Sequence, residues 1–237
     1  MSTVAIILAR GNSKTIPRKN MKLLGNKPLL QYTIEAAIGT TVGAIGIDDV
    51  YVSSEDEEIC AFAKDCGVKY LKRPDGLSAD FVQSNEVFLF AYRQLQELRK
   101  TPDTLILLMP TVPFRNTDDI LGAYDIYLKR QYSLYPNYNC VLSVSADKTF
   151  HWEMDGGYGH AVYQTFPRLG RQWIKEKLYV ENGAIYVVNA EMFSLQCTYW
   201  LPPFGLYVMP EERSIDINTE YDFWLCERYL EWFKQQA

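Results

Sequence analysis

The sequence contains no long apolar run and few of the residues that build disulfide or metal frameworks. None of its apolar stretches approaches the ~18 residues of a membrane span, and residues 1–8 lack the charged start and long apolar region of a secretory signal. The five cysteines are odd in number and include no C-x-x-C pair, which argues against a disulfide framework and a zinc site. The two histidines, His151 and His160, have no partner at metal-ligand spacing. We therefore expect a cytoplasmic protein without a membrane partner, with buried free thiols and with histidines in structural or interfacial positions.

Two common phosphate-binding fingerprints are also missing. The sequence has neither G-x-x-x-x-G-K-[ST] nor G-x-G-x-x-G, and its net charge of -5 disfavours nucleic acid as the main partner. No acidic residue precedes Glu35, however, so the cations Arg10, Lys14, Arg18 and Lys19 form a locally basic segment. A basic segment within an acidic protein favours a polyanionic small ligand, and a solvated basic edge is the alternative.

The N-terminal segment has the pattern of a buried strand that delivers an anion-binding loop. Residues 4–8 are apolar and largely β-branched, and the run stops at the polar stretch Ala9-Arg10-Gly11-Asn12-Ser13. A glycine in this loop lets the main chain approach a ligand, and successive N–H groups can face a common anion. The segment therefore predicts a phosphate site at the end of the first strand.

Apolar runs and helix signals then alternate along the first half of the chain. Short apolar runs that predict buried strands occupy residues 4–8, 50–53, 68–71 and 104–109. Helical spacing or capping signals follow each of them, over residues 28–38, 55–66 and 85–99 and from Asn116 onward. Four strand-to-helix units in succession imply parallel strands with right-handed crossovers, and hence a three-layer α/β fold. Ligands bind beyond the carboxyl ends of such strands, so we expect the loops at residues 9–20, 73–84 and 109–116 to share one edge.

This alternation stops after Cys140. Residues 140–145 and 179–189 predict two further strands, and the segment between them carries aromatic residues around a hairpin-type turn at Asp155-Gly156-Gly157. We therefore predict one domain over residues 1–237, with an insertion at about 146–180 that leaves the sheet and returns. A capping-box pattern at Thr219 and Asp222 starts a terminal helix. The side chains expected to dock that helix on the sheet are Tyr221, Leu225, Tyr229 and Trp232.

Five segments together resemble the acylneuraminate cytidylyltransferases, which make CMP-sialic acids. The opening string A-R-G-N-S-K-x-I-P-R-K-N is similar to the signature of that family, and so are RPDGLSAD, LLMPTVPFR, the NGAIY core of residues 182–186 and SIDINT at residues 214–219. The resemblance runs nearly end to end and is weakest between residues 120 and 180. It implies a Rossmann-like nucleotidyltransferase fold with a mostly parallel central sheet. It also implies a small insertion through which two copies of the chain form a homodimer.

The resemblance also implies a reaction. The anomeric hydroxyl of a nine-carbon α-keto acid sugar would attack the α-phosphate of CTP with Mg²⁺ assistance, giving a CMP-sugar and pyrophosphate. Positioning and electrostatics can supply most of the rate enhancement, so no protein nucleophile is needed. N-acetylneuraminate, legionaminate and pseudaminate are the candidate acceptors. The alternatives are a nucleotidyltransferase with another base or acceptor, and a nucleotide-binding homologue without turnover.

The family motifs assign roles to individual residues of this chain. Catalytic roles fall to Arg10, Lys19 and Asp216. Nucleotide binding falls to Ala9, Arg10, Gly11, Ser13, Lys14, Asn20, Arg73 and Ser84, and Mg²⁺ binding to Asp216 and Asn218. Acceptor binding falls to Met109, Arg171, Gln172, Asn182 and Tyr186. Arg171 would pair with the acceptor carboxylate, a task that suits a guanidinium fork, and a surface arginine is the alternative.

Three positions depart from the family pattern. Asn218 replaces the usual second aspartate of the SIDID segment, Met109 replaces a glutamine near the acceptor, and Trp152 lies where some members carry an acceptor-facing lysine. An asparagine can offer a metal its amide oxygen but brings no charge. All three departures fall on the metal and acceptor sides, so the resemblance constrains the donor nucleotide more than the acceptor.

Overall fold

The computed structural model describes residues 2–41, 46–129, 138–163, 165–167, 170 and 178–236, with the side chains of 234–236 excepted. Its strands are β1 (Thr3–Leu8), β2 (Leu23–Leu24), β3 (Lys27–Pro28), β4 (Asp49–Ser54), β5 (Lys69–Lys72), β6 (Thr104–Leu108), β7 (Cys140–Asp147), β8 (Trp152–Asp155), β9 (Tyr158–Ala161), β10 (Leu178–Asn189) and β11 (Phe204–Met209). Its α-helices are α1 (Leu29–Gly39), α2 (Glu57–Asp65), α3 (Ser84–Glu97), α4 (Thr117–Lys129), α5 (Ala190–Gln196) and α6 (Glu220–Gln236).

Seven strands form one central sheet in the order β11-β7-β10-β6-β1-β4-β5. The strands β1, β4, β5 and β6 are parallel to their neighbours in this group, and β11 is parallel to β7. Strand β10 runs antiparallel to both β6 and β7. The prediction of a three-layer α/β fold with a mostly parallel central sheet is therefore confirmed.

Alternate side chains of the sheet supply two separate cores. On one face, Ile7 of β1 and Ile106 of β6 pack with α1, α2 and α4. On the other face, Ile6 of β1 and Leu107 of β6 pack with α3 and α5. Successive side chains of a strand point to opposite faces of the sheet. Because helices cover both faces, β1 is buried at all six positions.

Helix α2 begins two residues later than the sequence pattern predicted. The carboxylate of Asp56 accepts a hydrogen bond from the backbone N–H of Ile59 at 3.1 Å, which makes Asp56 the N-cap. Glu55, predicted as the first helical residue, lies outside the helix. Its side chain is therefore available to the loops beside it.

The prediction for the docking face of α6 is wrong. Tyr221, Leu225 and Trp232 are exposed, and only Tyr229 of the predicted set is half-buried, against the ring of Phe114. Among its described side chains, the helix instead buries Phe223 and Cys226 in a third core together with Ile16, Leu24, Leu29 and Ile217. Because this core includes residues of the first loop and the β2–β3 ribbon, α6 packs beside the first loop and not on the central sheet. Apolar residues occur on several sides of the helix, so periodicity alone could not select the buried side.

The prediction that all five thiols are buried also needs correction. Cys60, Cys140 and Cys226 are buried, Cys66 is half-buried, and Cys197 is exposed. Cys197 ends α5 in a left-handed conformation with φ of 54°. Burial raises the pKa of the Cys226 thiol to about 12.

Residues within the predicted insertion form a hairpin. Strands β8 and β9 pair antiparallel around Gly156 and Gly157, whose φ values of 53° and 86° require glycine-like freedom. The central sheet reaches further than predicted, since Asp147 of β7 still pairs with Leu178 of β10. His151 contacts the Asp147 carboxylate at 2.6 Å.

Among the helices of the described residues, none has both the length and the apolar character of a membrane span.

The buried side of α6 can be tested by paired truncations. We expect Phe223→Ala to lower the free energy of unfolding by about 3 kcal/mol, because it empties a packed position. The control Trp224→Ala, at a neighbouring residue that is 51% exposed, should cost less than about 1 kcal/mol. Urea unfolding followed by circular dichroism measures both. A larger loss for the Trp224 variant would contradict this packing.

Candidate functional site

A cleft of about 460 Å³ lies where β1, β5 and β6 end and β10 begins its central part. All three loops that the sequence predicted to share one edge contribute to its walls, which confirms that prediction. Ten of the predicted site residues line it: Arg10, Ser13, Lys19, Asn20, Arg73, Ser84, Met109, Tyr186, Asp216 and Asn218. Ala9, Gly11, Lys14 and Asn182 are not among the lining residues, and Arg171 and Gln172 lie outside the described residues.

Side-chain contacts hold the backbone of the first loop, residues 9–20, in place. A Cβ atom on Gly11 would lie 2.4 Å from Oδ2 of Asp56, so glycine is required by this close approach. The N–H of Gly11 donates to Oε1 of Glu55 at 2.6 Å. The amide nitrogen of Asn20 donates to the carbonyl oxygen of Arg10 at 2.9 Å. The loop backbone is therefore positioned by protein contacts at both ends.

Glu55 also organises the second loop. Its carboxylate accepts hydrogen bonds from Nη2 of Arg73 at 3.0 Å and from Oγ of Ser78. Arg73 is 4% exposed and additionally donates to the carbonyl oxygen of Ser53 and to Oγ of Ser78, each at 3.1 Å. Burial raises the pKa of Glu55, but the hydrogen bonds from Ser78 and Gly11 and the charge of Arg73 outweigh it, and the pKa lies below its ordinary value. Sequence reasoning missed Glu55, although the capping preference of Asp56 could have excluded it from the helix.

Acids from later in the chain pair with the basic segment, which has no acidic residue of its own. Asp80 of the second loop contacts Arg10 at 2.8 Å and Lys14 at 3.2 Å. Arg18 is paired with two acids, Asp56 and Glu58, on the outer side of the loop. Acids that are distant in sequence therefore neutralise much of the local charge. The sequence could not show this because it depends on how the loops meet.

Lys19 joins the first loop to the SIDINT segment. Its ammonium donates to the carbonyl oxygen of Ile217 at 2.7 Å. Burial lowers the pKa of Lys19, the charge of Arg10 lowers it further, and Asp216 and Asp222 oppose that shift without cancelling it. Lys19 is thus a fixed, partly desolvated cation at the cleft wall, where its charge acts strongly on a bound anion.

The residues predicted to hold a metal lie side by side. The amide nitrogen of Asn218 donates to Oδ2 of Asp216 at 2.7 Å, and Oδ1 of Asp216 is buried without a hydrogen-bond partner. Among the described residues, no group of three or more His, Cys, Asp or Glu side chains could hold a metal ion. One carboxylate with substrate phosphates and water is, however, a common donor set for Mg²⁺. The orphaned oxygen therefore fits a magnesium ion that shares its ligands with a bound nucleotide.

Aromatic side chains form the wall opposite the first loop. The rings of Tyr186 and Tyr199 lie 4.8 Å apart, and Trp200 packs behind them at 5.9 Å from Tyr186. The hydroxyl groups of Tyr199 and Ser84 are 2.8 Å apart, and the hydroxyl of Tyr186 donates to Glu181. Burial raises the pKa of Tyr186, and its bond to Glu181 raises it further. Sequence reasoning missed Tyr199 and Trp200 because they follow a short helix outside every recognised motif.

Two predicted acceptor residues occupy different positions. Met109 lines the cleft, and its carbonyl oxygen accepts from the buried guanidinium of Arg115 at 3.2 Å. Asn182 is buried, where it bonds Oγ of Ser143 at 2.6 Å and Oγ of Ser214 at 3.0 Å. The β10 strand is irregular here, and Gly183, with φ of 69°, reaches the cleft. Asn182 therefore supports the cleft floor from below.

Comparisons with known proteins show which families this chain is similar to. Residues 4–88 match a family model described as cytidylyltransferase. An N-acylneuraminate cytidylyltransferase of Escherichia coli O18:K1:H7 is 31% identical over 228 residues, which cover 94% of this chain and 51% of that protein. The CMP-N,N'-diacetyllegionaminic acid synthase of Legionella pneumophila is 28% identical, with coverage of 98% and 97%. A pseudaminic acid cytidylyltransferase of Campylobacter jejuni is 29% identical, with coverage of 94% and 93%. The chain spans about half the length of the first relative and nearly all of the other two.

Solved structures share the fold. A structure of CMP:2-keto-3-deoxy-manno-octonic acid synthetase complexed with CTP has a TM-score of 0.67, with full coverage of both chains and 15% identity. A 4-diphosphocytidyl-2C-methyl-D-erythritol synthase has a TM-score of 0.68, with coverage of 97% and 98% and 10% identity. At these identities the likeness concerns the fold alone.

The role of Glu55 predicts a stability change with a specific pH dependence. Glu55→Gln should lower the free energy of unfolding at pH 7 by about 3 kcal/mol, because it leaves the Arg73 guanidinium buried without its carboxylate. The folded pKa of Glu55 lies below its ordinary value of 4.5. Its contribution is therefore complete above that value and is lost as the pH falls through the folded pKa.

Urea unfolding of the wild type and of Glu55→Gln between pH 7 and pH 3 tests this prediction. The free energy of unfolding of the wild type should exceed that of the variant by less at pH 3 than at pH 7. The matched control is Glu57→Gln. The Glu57 side chain is 95% exposed, and its ion pair with Lys72 is long, at 3.8 Å, so this substitution should change the free energy of unfolding little at any pH. Equal losses for the two variants would show that Glu55 carries no special role.

Proposed function

We propose that this chain is a member of the acylneuraminate cytidylyltransferase family, to whose members it is similar, and that it transfers CMP from CTP to the anomeric hydroxyl of a nonulosonic acid and releases pyrophosphate. The observation that carries the proposal is the meeting of the separate family motifs at one cleft. Lys19 of the opening signature, Arg73 of the second motif and Asp216 of the last motif all line it. Motifs distant in sequence converge in this way when they serve one ligand.

The first loop and its neighbours fit the triphosphate of CTP. Arg10 and Lys19 line one side of the cleft, and Lys14, outside the lining, contacts the same Asp80 carboxylate as Arg10. A triphosphate would exchange that single carboxylate for several charged oxygens and would form charge-assisted hydrogen bonds. Because the loop backbone is held by Glu55, these cations need little reorganisation when charge develops on the departing pyrophosphate. Ser84, on the opposite wall, would face the base and ribose.

Asp216 is the residue that would hold Mg²⁺, through its free Oδ1. The ion would neutralise charge on the phosphate oxygens as pyrophosphate leaves. Lys19 lies on the same side, bonded to the carbonyl next to Asp216. The chain's own part is to fix these two charges relative to each other, which the backbone contacts of Ile217 achieve.

The acceptor would bind against the aromatic wall. Met109, Tyr186 and Tyr199 offer apolar surface at the cleft, which suits the acyl and deoxy groups of nonulosonic acids, and the carboxylate of the sugar is assigned to Arg171 with Gln172. Relatives named for N-acylneuraminate, pseudaminic acid and legionaminic acid have nearly equal identities of 28–31%, so identity does not select among them. We also propose that two copies of the chain form a homodimer through the insertion, and that the protein acts in the cytoplasm.

The reaction is tested by pyrophosphate release from CTP and Mg²⁺ with a panel of sugars. The panel contains N-acetylneuraminate, legionaminate, pseudaminate and an eight-carbon keto-deoxy sugar. We expect release with at least one nine-carbon sugar. Lys19→Met and Asp216→Ala should each lower kcat/KM by about 100-fold or more, because each removes a charge that acts on the transition state.

Matched controls separate chemistry from general damage. Lys129→Met and Asp125→Ala remove an exposed ion pair on α4 and should leave kcat/KM unchanged. Release with UTP, GTP or ATP in place of CTP would identify a different nucleotidyltransferase. Tight CTP binding without release for every sugar would favour a homologue without turnover.

A further inference from the structure

We infer that Asn218 is a positioning residue that holds the Asp216 carboxylate through its side-chain N–H group and is not itself a metal ligand. A divalent cation would then meet a single free carboxylate oxygen of this chain. The inference rests on the proposed function, in which the cation binds at Asp216. It concerns the position where the family pattern has a second aspartate.

The hydrogen bond itself determines which end of the amide faces Asp216. Nδ2 of Asn218 lies 2.7 Å from Oδ2 of Asp216. Carboxylate oxygens and amide oxygens both only accept hydrogen bonds, so an amide oxygen at this distance would oppose two acceptors. The NH₂ group must therefore face Asp216. The amide oxygen of Asn218 is then the atom that does not point at the carboxylate.

Backbone contacts fix the segment that carries both side chains. Ile217, between them, is fully buried, and its N–H donates to the carbonyl oxygen of Thr111 at 2.8 Å. Its own carbonyl oxygen accepts from Lys19. The N–H of Asn218 donates to Oδ2 of Asp222 at 3.0 Å, within the capping box of α6. Neither side chain can therefore move far by a shift of the main chain.

The two oxygens of Asp216 consequently have different tasks. Oδ2 accepts from Asn218, and Oδ1 is buried without a partner. A buried acceptor without a donor carries an unrecovered desolvation cost, which a hard cation would remove. An aspartate at position 218 could not donate, and it would place a second carboxylate against the first. Asn218 thus orients Asp216 without any cation, where a pair of carboxylates would need one.

A double-mutant cycle in EDTA tests the contact without metal or turnover. Thermal unfolding is measured for the wild type, Asn218→Ala, Asp216→Ala and the double variant. We expect Asn218→Ala to lower Tm by about 2 °C, as for the loss of one solvent-exposed hydrogen bond. The same substitution in the Asp216→Ala background should have almost no effect. Additive effects would overturn the proposal.

Binding of Mn²⁺ in the presence of CTP, followed by the electron paramagnetic resonance signal of the free ion, tests the consequence for the cation. Asp216→Ala should abolish binding beyond that of CTP alone, whereas Asn218→Ala should weaken it only about threefold. Asn218→Asp should tighten Mn²⁺ binding by about fivefold or more, because it supplies a second carboxylate.

The outcomes separate this inference from the proposed reaction. Equal losses for Asn218→Ala and Asp216→Ala would make Asn218 a direct ligand and overturn the inference. Wild-type binding no stronger than that of CTP alone would remove the cation site and the inference with it. Absence of pyrophosphate release would leave both measurements readable, because neither depends on turnover.

Discussion

The buried ion pair between Glu55 and Arg73 is the interaction on which the rest of the site depends. Two charged groups that are 12% and 3% exposed would be costly unless each were paired and fully hydrogen-bonded. The contacts that satisfy this requirement come from two loops and a strand: Gly11 after β1, Ser78 after β5, and Ser53 near the end of β4. The cost of burying the pair therefore forces those loops into one arrangement. A cleft wall results whose backbone is set before any ligand arrives, which favours electrostatic stabilisation of a transition state over induced ordering.

Charge balance at the cleft follows from the same convergence. The first loop carries cations close together, and a folded chain would suffer from their repulsion if no acids approached. Asp80 takes up Arg10 and Lys14, and Arg18 turns outward to Asp56 and Glu58. Of these three acids, Asp80 alone lines the cleft, so its contacts are the ones that compete with a bound anion. The site thus keeps its cations ordered and exchangeable, whereas the outer pairs stabilise the loop.

Local signals in the sequence were sufficient for the framework and insufficient for the contacts between distant segments. The N-cap at Asn116 and the capping box at Thr219 depend on neighbours within a few residues, and the structure confirms them. The side of α6 that is buried depends on the β2–β3 ribbon, nearly 200 residues earlier, which periodicity cannot represent. Glu55 was misassigned because an acid in a first helical turn and an acid that caps a loop look alike in sequence. Tyr199 and Trp200 have no local signature at all.

A departure from a motif acquires meaning only when its neighbours are known. In sequence, Asn218 is a lost charge, and it raises the question of whether a cation site survives. In the structure its N–H group occupies one oxygen of Asp216, and the other oxygen stays buried and free. In the site that we propose, the substitution exchanges a ligand for a support: it reduces the negative charge offered to a cation and makes the orientation of the remaining carboxylate independent of that cation. A hydrogen bond that needs no ion orders the Asp216 side chain near Lys19 in the free protein, and the triphosphate site that we propose requires such preorganisation.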